Sequence, residues 1–182
     1  MLTDEQLMAA IASGDRHAYG QAVSQHGRAL AAYSWRMLGN QAEAEDIVQE
    51  VFLRLWTHAS RWVPGKASVS TWLHRIAHNL CIDHLRRVQV ANSEPLEGEW
   101  PDEAPDSEHA LAQKAETEQL CQALSDLPER QRSALIMTHY QGLSNREVAE
   151  IMDLSVDALE SLLSRARRGL KTRLLRTRHK RT

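Results

Sequence analysis

The sequence predicts an all-α protein: two small helical domains joined by a flexible acidic linker, the C-terminal one a helix-turn-helix. Three observations predict it. Pro (5) and Gly (8) are scarce among 182 residues, and no stretch alternates apolar and polar residues for long, so helix formers dominate. Residues 91–108 hold three prolines, seven acids and no base, a composition that cannot bury a core. From Ser144 to Arg168, apolar residues recur at helical spacing in two runs separated by Asp153-Leu154. The expected boundaries are an N-terminal domain over 1–90, a linker over 91–108 and a C-terminal domain over 109–182 with a basic tail.

Thr3, with Gln6 three places on, caps a first helix that buries Leu7, Ala10 and Ile11 and ends at Ser13-Gly14. Asp15 caps a second helix that runs toward Leu38, with a bend expected near Gly27. Gly39 takes the left-handed position after it. Gln41 to about His58 carries an apolar stripe of Ile47, Val48, Val51, Phe52, Leu55 and Trp56, and a polar face of Glu43, Asp46, Gln49, Glu50 and Arg54. Pro64-Gly65 forces a loop over about 60–69. Ser70 or Thr71 then caps a fourth helix, Trp72 to about Val90, with Leu73, Ile76, Ala77 and Leu80 inward. Arg75, Asn79 and Arg86 fall on the opposite side, with Asp83 close by. Trp62 stands in the loop, where a large ring needs either a tertiary cover or a flat ligand; stacking on an unpaired base is the expected role.

Helical pattern resumes near His109, with Leu111, Ala115, Leu120 and Leu124 inward, and Pro128 opens another helix that ends by Gly142. Ser144 and Glu147 form a capping box for the first helix of the motif, which buries Val148, Ile151 and Met152; Ser155 caps the second. Val156, Leu159, Leu162, Leu163 and Ala166 are expected inward. Asp157, Ala158, Ser161, Ser164, Arg165 and Arg168 are left outward.

The net charge of −2 conceals a division along the chain. Residues 1–90 hold nine Lys/Arg and eight Asp/Glu, residues 91–126 one and ten, and residues 127–182 twelve and six. A basic end behind two short helices joined by a tight turn suits a major groove, with the second helix presenting side chains to base edges. An ordinary helix pair with a solvated basic end fits the same residues. The acidic middle fits two readings, a mimic of nucleic acid or a solubilising tether. No N-terminal apolar run follows a charged start, and nowhere do about 18 apolar residues occur together, so neither a signal peptide nor a membrane span is expected and the protein is expected in the cytoplasm. Only Cys81 and Cys121 are present, without a C-x-x-C pair. His74, His78 and Cys81 share a stripe at i, i+4 and i+7 that lacks a fourth ligand, so a neutral surface stripe is expected rather than a metal site; no cofactor is implied.

Ala44-Glu45-Asp46-Ile47-Val48-Gln49-Glu50-Val51-Phe52-Leu53-Arg54-Leu55-Trp56, then Thr71 through Arg87, then Leu127-Pro128-Glu129-Arg130-Gln131-Arg132 leading into the helix-turn-helix, resemble the bacterial RNA polymerase sigma factors of the extracytoplasmic-function (ECF) group. The resemblance covers roughly residues 5–175. It implies a non-enzymatic subunit whose N-terminal domain docks on the clamp helices of core RNA polymerase and opens the minus-ten element, while the C-terminal domain reads minus-35 duplex. Residue by residue, it makes Asp46, Gln49, Glu50, Phe52 and Arg54 polymerase-binding. It makes Arg75, Asn79, Asp83, Arg86 and Arg87 face minus-ten DNA and the 60–69 loop hold a flipped base, so Trp62, Lys66 and Trp72, in and beside that loop, are expected to join them. Arg146, Ser155, Asp157, Ala158, Ser161, Arg165 and Arg168 face minus-35 DNA. The partners implied are core polymerase, promoter DNA and an anti-sigma factor, often membrane-bound, with no small-molecule substrate.

Two departures bear on specificity. Glu160 and Leu162 replace frequent cations of the recognition helix, so the minus-35 sequence read here is expected to differ from the common type, with Arg165, Arg167, Arg168 and Lys171 supplying phosphate affinity. Val69 stands where an aromatic is usual, which moves the stacking role toward Trp62. Two other functions fit less of the chain. A free-standing helix-turn-helix regulator leaves the 44–56 and 71–87 motifs unexplained, and a nuclease needs convergent acids that are not visible.

Overall fold

Thr3 accepts the amide of Gln6 at 3.3 Å while the Gln6 side chain accepts the Thr3 amide at 3.0 Å, and this reciprocal cap opens α1 (Asp4–Ala12). The computed structural model describes residues 2–91 and 119–179. Asp15 caps α2 (Arg16–Leu38) through the amides of His17 and Ala18; α2 is continuous through Gly27 and ends at Gly39, φ 67°, a backbone that glycine adopts without Cβ strain. Asn40 caps α3 (Gln41–His58), and a 3-10 turn at Ala59–Arg61 leads into the 62–68 loop. The next helix, α4 (Val69–Ala91), starts earlier than the sequence suggests. Ser68, not Ser70 or Thr71, supplies the capping hydroxyl, accepting the Thr71 amide at 3.1 Å, and Asp4 of α1 accepts the Val69 amide at 2.8 Å.

The described part of α5 covers 119–125, followed by α6 (Glu129–His139), α7 (Asn145–Ile151) and α8 (Val156–His179). No strand occurs among the described residues. Apart from Ala91, which is still in α4, the expected linker over 91–108 lies outside the described residues, as do Leu111 and Ala115. Leu120 and Leu124 lie inward as expected.

In the N-terminal half, α3 and α4 pack on α2, and α1 closes one end over the 3-10 turn; in the C-terminal half, α6 and α7 pack on α8. The two halves also pack on each other, α6 against α2 and α4 and α7 against α4. Between them lies a buried polar cluster. The Ser133 hydroxyl is 2.8 Å from the Tyr33 hydroxyl and 2.7 Å from His78 Nδ1, and all three residues are buried. Arg132 donates to the Met37 carbonyl at the end of α2 and to the carbonyls of Ser125 and Leu127, which ties both halves to the start of α6. Residues 132–137 of α6 are buried without interruption, as a helix enclosed between two layers requires.

This packing overturns the expectation of a surface stripe on α4. His74, His78 and Cys81 are 2 %, 6 % and 0 % exposed, and they form part of the face of α4 that meets the C-terminal half. His74 contacts the Ser70 carbonyl at 2.8 Å and Gln141 at 3.2 Å. Burial pushes the His78 pKa down to about 4 and the Cys81 thiol up to about 12.

Candidate nucleic-acid interface

On α3, Asp46, Gln49 and Glu50 project to solvent at i, i+3 and i+4, and Leu53 continues the stripe one turn on at i+7. Leu53 is 54 % exposed and Trp56 is 37 % exposed, its ring edge-on to Tyr19 at 5.2 Å. Arg54 and Glu50 form an i, i+4 ion pair at 2.8 Å. Phe52 does not belong to this surface. It is buried against Tyr19 and Gly27, because at 100° per residue it falls on the side of Val51 and Leu55. An exposed leucine beside an exposed tryptophan on a polar stripe is the signal that reading Trp56 as core concealed.

The loop after α3 holds Trp62 inward. Its indole N–H donates to the Ala67 carbonyl at 3.1 Å and the ring is 8 % exposed, so Trp62 braces the loop instead of offering a free face for stacking. Lys66 is exposed at the loop tip, and Trp72 is half-buried at the start of α4. A cleft of about 240 Å³ lies between the loop and α7, lined by Trp62, Lys66, Trp72, Arg75 and Glu150 among others. Along the rest of α4, Asn79, Asp83, Arg86 and Arg87 are exposed.

The helix-turn-helix follows its sequence signals closely. Ser144 and Glu147 make the capping box, and the hydrogen bonds from the Ser144 amide and hydroxyl hold the Glu147 carboxyl below its ordinary range. Asp153 turns the chain at φ 53°, a left-handed position that Asp tolerates better than most residues, and Ser155 caps α8 by accepting the Ala158 amide at 3.1 Å. Leu159, Leu163 and Ala166 are buried as expected. Val156, also expected inward, is instead 40 % exposed.

Asp157, Glu160, Ser161, Ser164, Arg165 and Arg168 line one shallow concavity on the outer face of α8, about 530 Å³. Ser155 and Ala158 stand at the start of that helix, whereas Arg146 lines a separate recess with Asp4, Trp62, Lys66 and Glu147. The minus-35 set is therefore brought together on α8 except for Arg146.

The sequence matches the Sigma-70 region 2 family over residues 22–90 and the Sigma-70, region 4 family over residues 117–170. It is 33 % identical over 170 residues to the ECF RNA polymerase sigma factor SigM of Mycobacterium tuberculosis, covering 92 % of this chain and 83 % of the relative. The chain belongs to the ECF RNA polymerase sigma factors. SigW of Bacillus subtilis, another ECF sigma factor, is 30 % identical over 180 residues, 90 % of this chain and 92 % of that one. Among solved structures, CnrH in complex with the cytosolic domain of CnrY superposes with a TM-score of 0.70 at 29 % identity, covering 93 % of this chain and 95 % of that one. As an ECF sigma factor the protein is a transcription initiation factor. Its two family segments fall on α2 to α4 and on the C-terminal helices, so the α4 and α8 surfaces belong one to each segment.

Proposed function

We propose that this sigma factor binds core RNA polymerase through the outer face of α3, presents α4 and the 62–68 loop to minus-ten DNA, and reads minus-35 duplex with α8. The observation that carries the reading is the distribution of solvent-facing residues over three surfaces: Asp46, Gln49, Glu50, Leu53 and Trp56 on α3; Lys66, Trp72, Arg75, Asn79, Asp83, Arg86 and Arg87 beyond it; Asp157, Glu160, Ser161, Ser164, Arg165 and Arg168 on α8. Carboxylates around an exposed leucine suit a basic protein partner with an apolar centre. Arginines with half-buried Trp72 suit a strand whose bases have left the stack. Glu160 and Asp157 accept from cytosine N4 or adenine N6, while Arg165 and Arg168 meet phosphate or guanine.

In this reading the domains are residues 1–90 and 109–182 with a tether over 91–108, and the protein supplies no catalytic chemistry of its own. It works in the cytoplasm beside polymerase. Among the described residues no helix is long and apolar enough to cross a membrane. The resemblance to CnrH, solved in complex with the cytosolic domain of CnrY, supports regulation by a protein partner of the anti-sigma kind.

Gel-shift on promoter-length duplex DNA tests the reading. Shifted complex is expected with core polymerase and not with the sigma factor alone; tight, specific binding by the protein alone would instead favour a free-standing regulator. Leu53→Asp should weaken core association at least tenfold, because an exposed apolar contact becomes a desolvated charge, while the thermal midpoint stays unchanged. Equal affinity of variant and wild type would remove α3 from the docking surface.

A further inference from the structure

Carboxylates of the C-terminal half lie along the α4 face assigned above to minus-ten DNA. Glu147 accepts from the Thr71 hydroxyl at 3.2 Å, Asp153 from Arg75 Nη2 at 2.8 Å, and Glu129 from Arg86 Nε at 3.4 Å. Glu150 lines the cleft that holds Lys66, Trp72 and Arg75. Glu147 and Glu150 share a side of α7 at i and i+3, and Asp153 follows in the turn, where its bond to Arg75 sets it against α4. Thr71 to Arg86 spans about 22 Å of helix axis at 1.5 Å per residue, so the acids are laid out over the length of several nucleotides.

Exposed ion pairs hold little by themselves. What fixes the acids in place is the buried contact between the halves: Ser133 with Tyr33 and His78, and Arg132 on the Met37 carbonyl. A spaced row of negative charge set against arginines and the polar end of a helix has the pattern of a strand of phosphates.

We propose that α7 and the first turn of α6 serve, in the free chain, as an internal surrogate for the minus-ten strand. Asp153 and Glu129 hold Arg75 and Arg86 of α4, Glu147 holds the Thr71 hydroxyl, and DNA competes for these groups until the two halves separate. Polymerase binding then unmasks the face only where the halves are drawn apart, which restrains free sigma factor from sequestering single-stranded DNA. This inference rests on the assignment of α4 to minus-ten DNA.

The test uses the full chain and a fluorescein-labelled, single-stranded DNA 12-mer of random sequence, since phosphate contacts carry no sequence information. Ser133→Phe places a ring where the hydroxyl meets Tyr33 and His78, and so wedges the halves apart without changing net charge. The triple variant Glu129→Gln, Glu147→Gln, Asp153→Asn neutralises the three carboxylates that contact α4; Gln preserves the capping box and Asn tolerates the left-handed turn. Ser133→Phe should bind at least tenfold tighter than wild type. Its salt dependence should steepen by about 1.4 in the log-log slope, as expected when Arg75 and Arg86 become available to a single strand.

The triple variant should gain at least threefold. A gain in that variant alone overturns the surrogate, because the loss of three negative charges raises affinity for a polyanion by itself. Tighter binding by Ser133→Phe with none by the triple variant overturns it, because masking is then steric only; wild-type affinity and slope in both variants overturn it as well. Promoter opening by wild-type protein with core polymerase is measured alongside. Failure there sinks the sigma reading, whereas success with unresponsive variants sinks only the surrogate.

Discussion

Arg132→Ala should lower the unfolding free energy by about 4 kcal/mol and the thermal midpoint by roughly 10 °C, for a chain of this size. Arg132 is 8 % exposed, and its guanidinium donates to three carbonyls, those of Met37, Ser125 and Leu127. Truncation leaves a cavity and strands these acceptors in a region from which water is excluded. The Met37 carbonyl lies in the last turn of α2, the negative end of the helix dipole, so the charge itself is also stabilising there. Burial lowers the Arg132 pKa, and Glu129 and Asp126 oppose that shift, so the group stays charged. Lysine should not rescue, because a single ammonium cannot fan across three carbonyls as a guanidinium does. Urea denaturation checks this, and a loss below about 1 kcal/mol would mean that Arg132 does not join the halves as described.

Acid should open the contact between the halves. In the closed chain His78 is pressed between Tyr33, Ser133 and the surrounding cations, and its pKa falls to about 4 from an ordinary 6.5. Burial is the largest cause; Arg130, Arg86 and Arg75 add to it, and Asp153 opposes it. A lowered histidine pKa means the open or unfolded chain binds the proton more readily. Stability of the closed form is therefore full above about pH 6.5 and declines as pH falls toward 4. The difference of 2.5 units amounts to about 3 kcal/mol. His26, also lowered by burial, acts in the same direction within the N-terminal half. Between pH 6.5 and 4.5, wild type should lose stability more steeply than His78→Gln by up to one proton, and its radius of gyration should grow. Parallel profiles for the two proteins would contradict the placement of His78.

The elements most legible in the sequence were those whose ends are fixed by short-range chemistry. Thr3 with Gln6, Asp15, Gly39 and Ser144 with Glu147 each mark a boundary through hydrogen bonds or φ values set within a few residues, and the structure places them there. The helix-turn-helix and the α8 face followed from periodicity for the same reason. Missed features depend on what packs from elsewhere in the chain. His74, His78 and Cys81 read as surface because nothing local reveals that Ser133 and Gln141 will cover α4. Trp62 read as free because its partner carbonyl, Ala67, is fixed only by loop closure. Trp56, expected in the apolar stripe, and Leu53, expected on neither face, are both exposed on α3. A cue did exist for the buried contact: Ala134-Leu135-Ile136-Met137 is apolar on every side of a helical turn, and such a helix needs cover all round.

Selection of transcription start sites from a random promoter library, with purified bacterial core polymerase and the full chain, tests the central claim most directly. The account predicts initiation above core polymerase alone, from templates that share two separated sequence elements, the upstream one lost or altered when Glu160 is replaced by Gln. Initiation no better than with core polymerase alone, at every template in the library, would contradict it.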